Sequence, residues 1–199
     1  GTVLKLDKAI DASGYRRDAI FIKVEGDEWE ESIDRSSDLK KECNLSSREI
    51  LDKIAAAGIV GMGGATFPTH VKLTPPPGSK PEILIINGVE CEPWLTSDHR
   101  VMMEKTEEIM VGITIVMKAL NVDKAIIGIE NNKKDALEKF GKCAEAYPGI
   151  SVEALKVQYP QGGEKQLIDA LIGRQVPSGA LPISVGVVVQ NVGTVLAIY

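Results

Sequence analysis

From Ile83 onward, short apolar runs alternate with amphipathic segments, and this rhythm constrains the fold more than any other feature. The runs are EILIING, KAIIGIE, ISVEALKV and VGVVVQNV. They are continuously apolar, as in strands covered on both faces, where half-solvated strands would alternate. Between them the apolar residues recur at helical spacing. Ile109, Ile113, Val116, Met117 and Leu120 mark one long helix, which Ser97 or Asp98 can cap and which runs to about residue 120. Leu137, Phe140, Cys143 and Ala144 mark a second over about 133–147, and GEKQLIDALIG a third. QVPSGALP reads as a loop. Strand and helix in alternation predict an α/β fold: a Rossmann-like, mostly parallel sheet with helices on both faces.

The first 45 residues read differently. TVLKL and AIFIKVEG alternate apolar and polar residues around the turn-like ASGYRR, which predicts two strands of a small β unit. Residues 27–45 are charged and weakly patterned, a linker with a short helix. Ser46 and Glu49 then form a capping box, opening a helix that places Ile50, Leu51, Ile54 and Ala55 on one face and ends at Gly58. TPPPGSKP is a stiff connector that no helix tolerates. The expected division is a β segment over 1–30, a linker over 31–45 and an α/β domain over 46–199.

Composition narrows the function. The net charge is −5 and the basic residues are scattered, so nucleic acid is not an expected partner. No apolar run reaches the roughly 20 residues of a membrane span. Cys43, Cys91 and Cys143 lie far apart with no CxxC pair, which argues against a disulfide framework and against a zinc or iron–sulfur cradle. His70 and His99 are too few for a histidine metal site. The chain opens without Met and closes in the strand-like VGVVVQNVGTVLAIY, and is expected to be a piece of a longer protein.

Four segments carry candidate chemistry. In GIVGMGGATFPTHVKL, residues 58–73, Gly61, Gly63 and Gly64 let backbone approach a ligand, and Lys72 offers a charge for phosphate. The loop matches neither standard nucleotide pattern. Gly64 and Ala65 stand where a Walker loop needs Lys and Ser/Thr, and Thr66 stands at the third glycine of a dinucleotide fingerprint. Glycine density alone leaves a phosphate nest and a ligand-free turn equally open. In INGVECEPWLTSDHR, Asn87 sits at the carboxyl end of a strand, where open α/β sheets bind ligands. Glu90, Glu92 and Asp98 follow it, although a solvated acidic loop is the plainer reading. Trp94 reads as core rather than as a lid, and His99 as a surface or capping residue rather than a base. QNVGT, with Gln190, Asn191 and Thr194, and GIENNK end two further strands, so three strand ends and the glycine loop converge on one edge.

GMGGATFPTHVKL, ILIINGVECEPWLTSDHRVMME, AIIGIENNK, YPQGGEKQLI and QNVGT together resemble the RnfC subunit of the Rnf ion-translocating electron transport complex, over about residues 45–199. SGYRRDAIFIKVEGDEW is similar to the tail of the barrel-sandwich domain that precedes this region in that family. More distantly, the core resembles the flavin-binding subunit of respiratory complex I. The resemblance implies a noncovalent FMN that takes hydride from NADH and passes single electrons onward, with no general acid or nucleophile. It assigns FMN contacts to Gly61, Gly63, Gly64, Lys72, Asn87, Glu90, Gln190, Asn191 and Thr194, and places Phe67 and Glu92 near the nicotinamide nucleotide. It implies iron–sulfur clusters only downstream of this chain, other Rnf subunits and ferredoxin as partners, and a peripheral place on the cytoplasmic face of the bacterial cell membrane. This chain departs from the complex I pattern at Val89, where those relatives have aspartate, and at Glu130-Asn131-Asn132, where they have arginine–glycine–glutamate. A related cobalamin reductase family shares the module, and a flavin-free docking fragment is the other alternative.

Overall fold

The computed structural model describes residues 1–11 and 13–199, in two compact units, 1–38 and 39–199. The first unit is an antiparallel hairpin, β1 (Thr2–Ile10) paired with β2 (Arg16–Lys23). No helix forms over 27–45, contrary to expectation. That stretch has no sustained run of apolar residues at helical spacing, so no buried helix face offsets the cost of nucleating one; Cys43 and Leu45 pack against the core without forming a helix.

The second unit begins with α1 (Ser47–Ala56). Its capping box is formed as the sequence predicts: the Glu49 amide donates to the Ser46 hydroxyl, and the Ser46 amide donates to the Glu49 carboxylate. Ile50 and Ile54 are buried, while Ala55 of the expected face is exposed. The glycine loop follows and leads into α2 (Thr69–Lys72), a single turn too short to show a period in sequence.

Four parallel strands form the sheet, in the order β5-β4-β3-β6: β3 (Ile83–Gly88), β4 (Ala125–Glu130), β5 (Ile150–Leu155) and β6 (Val187–Asn191). Successive residues of β3 point to opposite faces. Leu84 and Ile86 enter the larger core with Ile109, Ile113 and Phe140, whereas Ile85 packs with Val187, Val189, Leu167 and Ile168. Helices α1, α4 (Thr106–Leu120), α5 (Lys134–Ala144) and α7 (Val192–Ile198) cover the first face, and α6 (Glu164–Ile172) covers the second. β5 lies at the sheet edge and is only partly covered, so the continuous burial expected of its sequence is not realised.

Two further expectations are corrected. The long helix over 97–120 is two helices, α3 (Ser97–Glu104) and α4, separated at Lys105, whose backbone (φ −127°, ψ 33°) leaves the helical region. The closing apolar run is not all strand: β6 ends at Asn191, whose side chain caps α7 by accepting from the Gly193 and Thr194 amides. Among the described residues, no helix is long and apolar enough to cross a membrane.

Candidate functional site

Chain order places the site. β3, β4 and β5 step outward in one direction, and the chain then returns through α6 to lay β6 on the other side of β3. The carboxyl ends of β3 and β6 therefore flank a topological switch point, where open α/β sheets bind ligands. Ile86 pairs with Gln190 there, and Asn87 with Asn191. A cleft of about 290 Å³ opens at this point, lined by Gly61, Gly63, Phe67, Lys72, Asn87, Gln190, Asn191 and Thr194. These are eight of the eleven residues expected at the site. Gly64, Glu90 and Glu92 do not line it.

Hydrogen bonds and packing hold the glycine loop over the cleft. The Gly61 amide donates to the Phe67 carbonyl (2.9 Å), and the Met62 amide to the Thr194 hydroxyl (2.8 Å). A Cβ on Gly63 would stand 3.4 Å from Asn191 Cβ. Gly64 has φ +110°, a conformation L residues rarely adopt, so its glycine serves the loop's path.

Most polar groups around the cleft are already engaged. Asn87 donates through Nδ2 to the Gly162 carbonyl (2.9 Å) and accepts the Val89 amide at Oδ1 (3.0 Å). Glu90 is turned away, under the start of α3. Its carboxylate accepts from the Ser97 hydroxyl (3.2 Å) and from the Asp98 (2.9 Å) and His99 (3.3 Å) amides, with Lys133 Nζ 3.9 Å away. A carboxylate at a helix N-terminus satisfies orphan amides and suits the helix dipole, which explains why neither Ser97 nor Asp98 is needed as the cap. Lys72 Nζ lies 2.6 Å from Glu164 Oε1 inside the cleft. Gln190 is the exception. It is 3% exposed, lines the cleft, and its Nε2 has no protein partner.

Two carboxylates beside the site are perturbed. Burial is the main influence pushing the Asp98 carboxyl above its ordinary range; the nearby Glu90 charge adds to this, and the hydrogen bond from Asn191 opposes it. Glu130 is raised mainly by burial, with Lys133 opposing and Glu90 adding. His99 is bonded at Nε2 to Asp135 (2.9 Å), linking α3 to α5, and lines no part of the cleft. Trp94 is 99% exposed with φ +71°, which overturns its reading as core: at that exposure no packing encloses the ring. Glu92 is likewise exposed. Val89, where complex I relatives have aspartate, is buried with Ile85 and Leu167 in the second apolar cluster.

Gly162, Gly163 and Glu164 also line the cleft, and sequence reasoning misses them. The available signal is the glycine pair directly before a helix. A Cβ on Gly162 would meet the Val89 carbonyl at 2.7 Å, and α6 starts at this point without a side-chain cap. A second, apolar cleft of about 270 Å³ lies alongside, lined by Val71, Pro75, Leu181 and Val188 and sharing Phe67 and Lys72 with the first.

The residues present suit a flavin nucleotide. A glycine-built loop, a lysine, a buried amide without a partner and an adjoining apolar cleft supply what an anionic tail and a planar ring with polar edges need.

The family described as the Nuo51 FMN-binding domain matches residues 54–199. The chain is 50% identical, over 96% of its length, to the C subunit of the proton-translocating ferredoxin:NAD(+) oxidoreductase complex of Clostridium ljungdahlii. It is 45% identical, over 98% of its length, to the C subunit of the Na(+)-translocating complex of Acetobacterium woodii. It spans 42% and 43% of those two relatives. Among solved structures, an NAD+-reducing [NiFe]-hydrogenase in the air-oxidized state matches 77% of this chain and 30% of its own at 27% identity, with a TM-score of 0.67. The two oxidoreductase relatives bear out the resemblance to RnfC read from the motifs, and the chain belongs to the Nuo51 FMN-binding domain family.

Proposed function

We propose that this chain is the FMN-binding electron-input module of an Rnf-type complex, exchanging electrons between NAD(H) and iron–sulfur carriers elsewhere in that assembly. One observation carries the reading: Gln190, which lines the cleft at the switch point, carries a buried side-chain nitrogen without a protein partner. A buried donor left unmade costs about 1–3 kcal/mol, so it is expected to be met by a bound acceptor. The names of the two oxidoreductase relatives, which couple ferredoxin to NAD, support the reading.

Bound FMN would supply hydride acceptance and single-electron transfer, which no side chain here can perform. The protein's part is binding and orientation. Gln190 donates to the ligand. Lys72 neutralises phosphate charge, exchanging its bond to Glu164 for one to the nucleotide. Gly61 and Gly63 bring backbone close to it, and Gly64 gives the loop the turn that places them. Asn87, Asn191 and Thr194 act at the cleft wall by holding Gly162, α7 and the glycine loop in place. Glu90 acts from behind the cleft by fixing the start of α3. Phe67, half-exposed and shared by the two clefts, and the exposed Glu92, which lines neither, receive the nicotinamide nucleotide. Catalysis needs no acid, base or metal from this chain.

The partners in this reading are NADH, the other Rnf subunits and, for the whole complex, ferredoxin, with this chain peripheral on the cytoplasmic face of the bacterial cell membrane. Residues 1–30 belong to a barrel-sandwich domain, 31–45 form a linker, and 46–199 form the FMN- and NADH-binding domain. Reconstitution tests the reading. Protein incubated with FMN and desalted should keep flavin absorbance, and anaerobic NADH should bleach it. Flavin lost on desalting, or retained but not bleached, would overturn it.

A further inference from the structure

Asn191 lies between two demands. Its Oδ1 accepts the Gly193 (2.8 Å) and Thr194 (3.4 Å) amides and so caps α7. Its Nδ2 donates to Asp98 Oδ2 at 2.7 Å. A flipped amide would set an oxygen against the Asp98 carboxylate and an NH₂ against two backbone N–H groups, trading three attractions for repulsions. Asp98 and the two α7 amides therefore fix together which way Asn191 points, and Asp98 is the side chain among them. The glycine loop rests on the result: Thr194, in the first turn of α7, accepts the Met62 amide, and Gly63 packs on Asn191 Cβ.

We propose that Asp98 is a positioning residue for the candidate flavin site, holding the Asn191 amide in the orientation that fixes the start of α7 and, through it, the glycine loop. Asp98 does not line the cleft, so it acts only through Asn191. Its own place is set from the loop that follows β3, because its backbone amide donates to Glu90 Oε1. The path from Glu90 through Asp98 and Asn191 to Met62 thus ties the β3–α3 loop to the glycine loop across the switch point. A carboxylate partly buried beside a second carboxylate is costly for stability alone, and burial pushes its pKa up. An orienting role accounts for its presence.

The inference rests on the FMN reading, and its test has an arm that does not. Asp98→Asn keeps a side-chain acceptor for Asn191 Nδ2, whereas Asp98→Ala removes it. Asp98→Ala should weaken FMN binding, read by quenching of flavin fluorescence, by about tenfold, the worth of roughly one oriented hydrogen bond. Asp98→Asn should restore affinity to within about twofold. In an Asn191→Ala background, Asp98→Ala should add no further loss, because its only route to the cleft is gone. Without flavin, hydrogen exchange of the Met62 and Gly193 amides should accelerate in Asp98→Ala and not in Asp98→Asn, at unchanged far-ultraviolet circular dichroism. Unchanged exchange in Asp98→Ala, or additive losses with Asn191→Ala, would overturn the proposal. If the wild-type chain binds no FMN, the flavin reading fails and the exchange data alone decide the role of Asp98. If Asp98→Ala does not fold, exchange and affinity in Asp98→Leu decide it against Asp98→Asn.

Discussion

Gln190 and Glu130 both carry buried polar atoms without a partner, and their positions give them different consequences. Gln190 lines the cleft, so Gln190→Leu should move two properties in opposite directions. Removing an unpaired buried amide should stabilise the ligand-free protein by about 1 kcal/mol, while FMN binding weakens by about tenfold. Thermal melts with and without flavin check both signs. Glu130 lines neither cleft beside the switch point and is 1% exposed. Its carboxyl is raised by burial, so the folded state binds a proton more tightly than the unfolded one. Stability from this group is therefore greatest below the ordinary glutamate pKa and falls as pH rises through the elevated one. Glu130→Gln should raise the melting temperature at pH 7, and the gain should disappear on acidification to below the ordinary glutamate range. A gain that persists in acid would show that the charge is not its source. Asn87, Glu90, Asn191 and Thr194 teach a different lesson. Their types and strand-end positions are legible in sequence, but their hydrogen bonds go to the protein itself.

At the scale of elements, close approach of α4 and α7 governs the floor beneath the site. A Cβ on Gly112 would stand 2.5 Å from the Val195 carbonyl oxygen and 2.8 Å from its Cγ1. Gly112→Ala gains helix propensity but overpacks this contact, so a net loss of about 1–3 kcal/mol is expected, measured by denaturant unfolding. Because α7 carries Thr194, which anchors the glycine loop, the same variant should also weaken flavin binding. Helix existence is readable wherever an apolar stripe runs three turns, as in α4 and α5. The break at Lys105 is not readable, because the stripe continues through Val101, Met102, Ile109 and Ile113 on both sides of it. α7 is hidden for a related reason: VGTVLAI is as apolar as a buried strand, and only the Asn191 cap shows where the helix begins.

At the scale of the molecule, both apolar clusters draw their residues from 39–199, and among the described residues none of the β1–β2 hairpin belongs to either. A chain beginning at Leu39 should therefore keep the melting temperature of the 199-residue chain within a few degrees and bind FMN with the same affinity. Loss of the cooperative transition in that shorter chain would show that the hairpin unit contributes to stability.

Apolar period and the glycine, amide and proline motifs are local properties, so the strands, their parallel character and the family are legible in the residues alone. Tertiary structure alone decided that β6 returns beside β3 rather than following β5, since strand neighbours are chosen by packing across the sheet. That choice creates the switch point. It brings Gly162, Gly163 and Glu164 against residues some 75 positions earlier in the chain, as in the bond from Asn87 to Gly162. It also leaves Gln190, alone among the amides lining the cleft, with a buried nitrogen unpaired. Which polar groups are engaged and which are left for a ligand depends on distances between residues remote in sequence, and no local pattern encodes those.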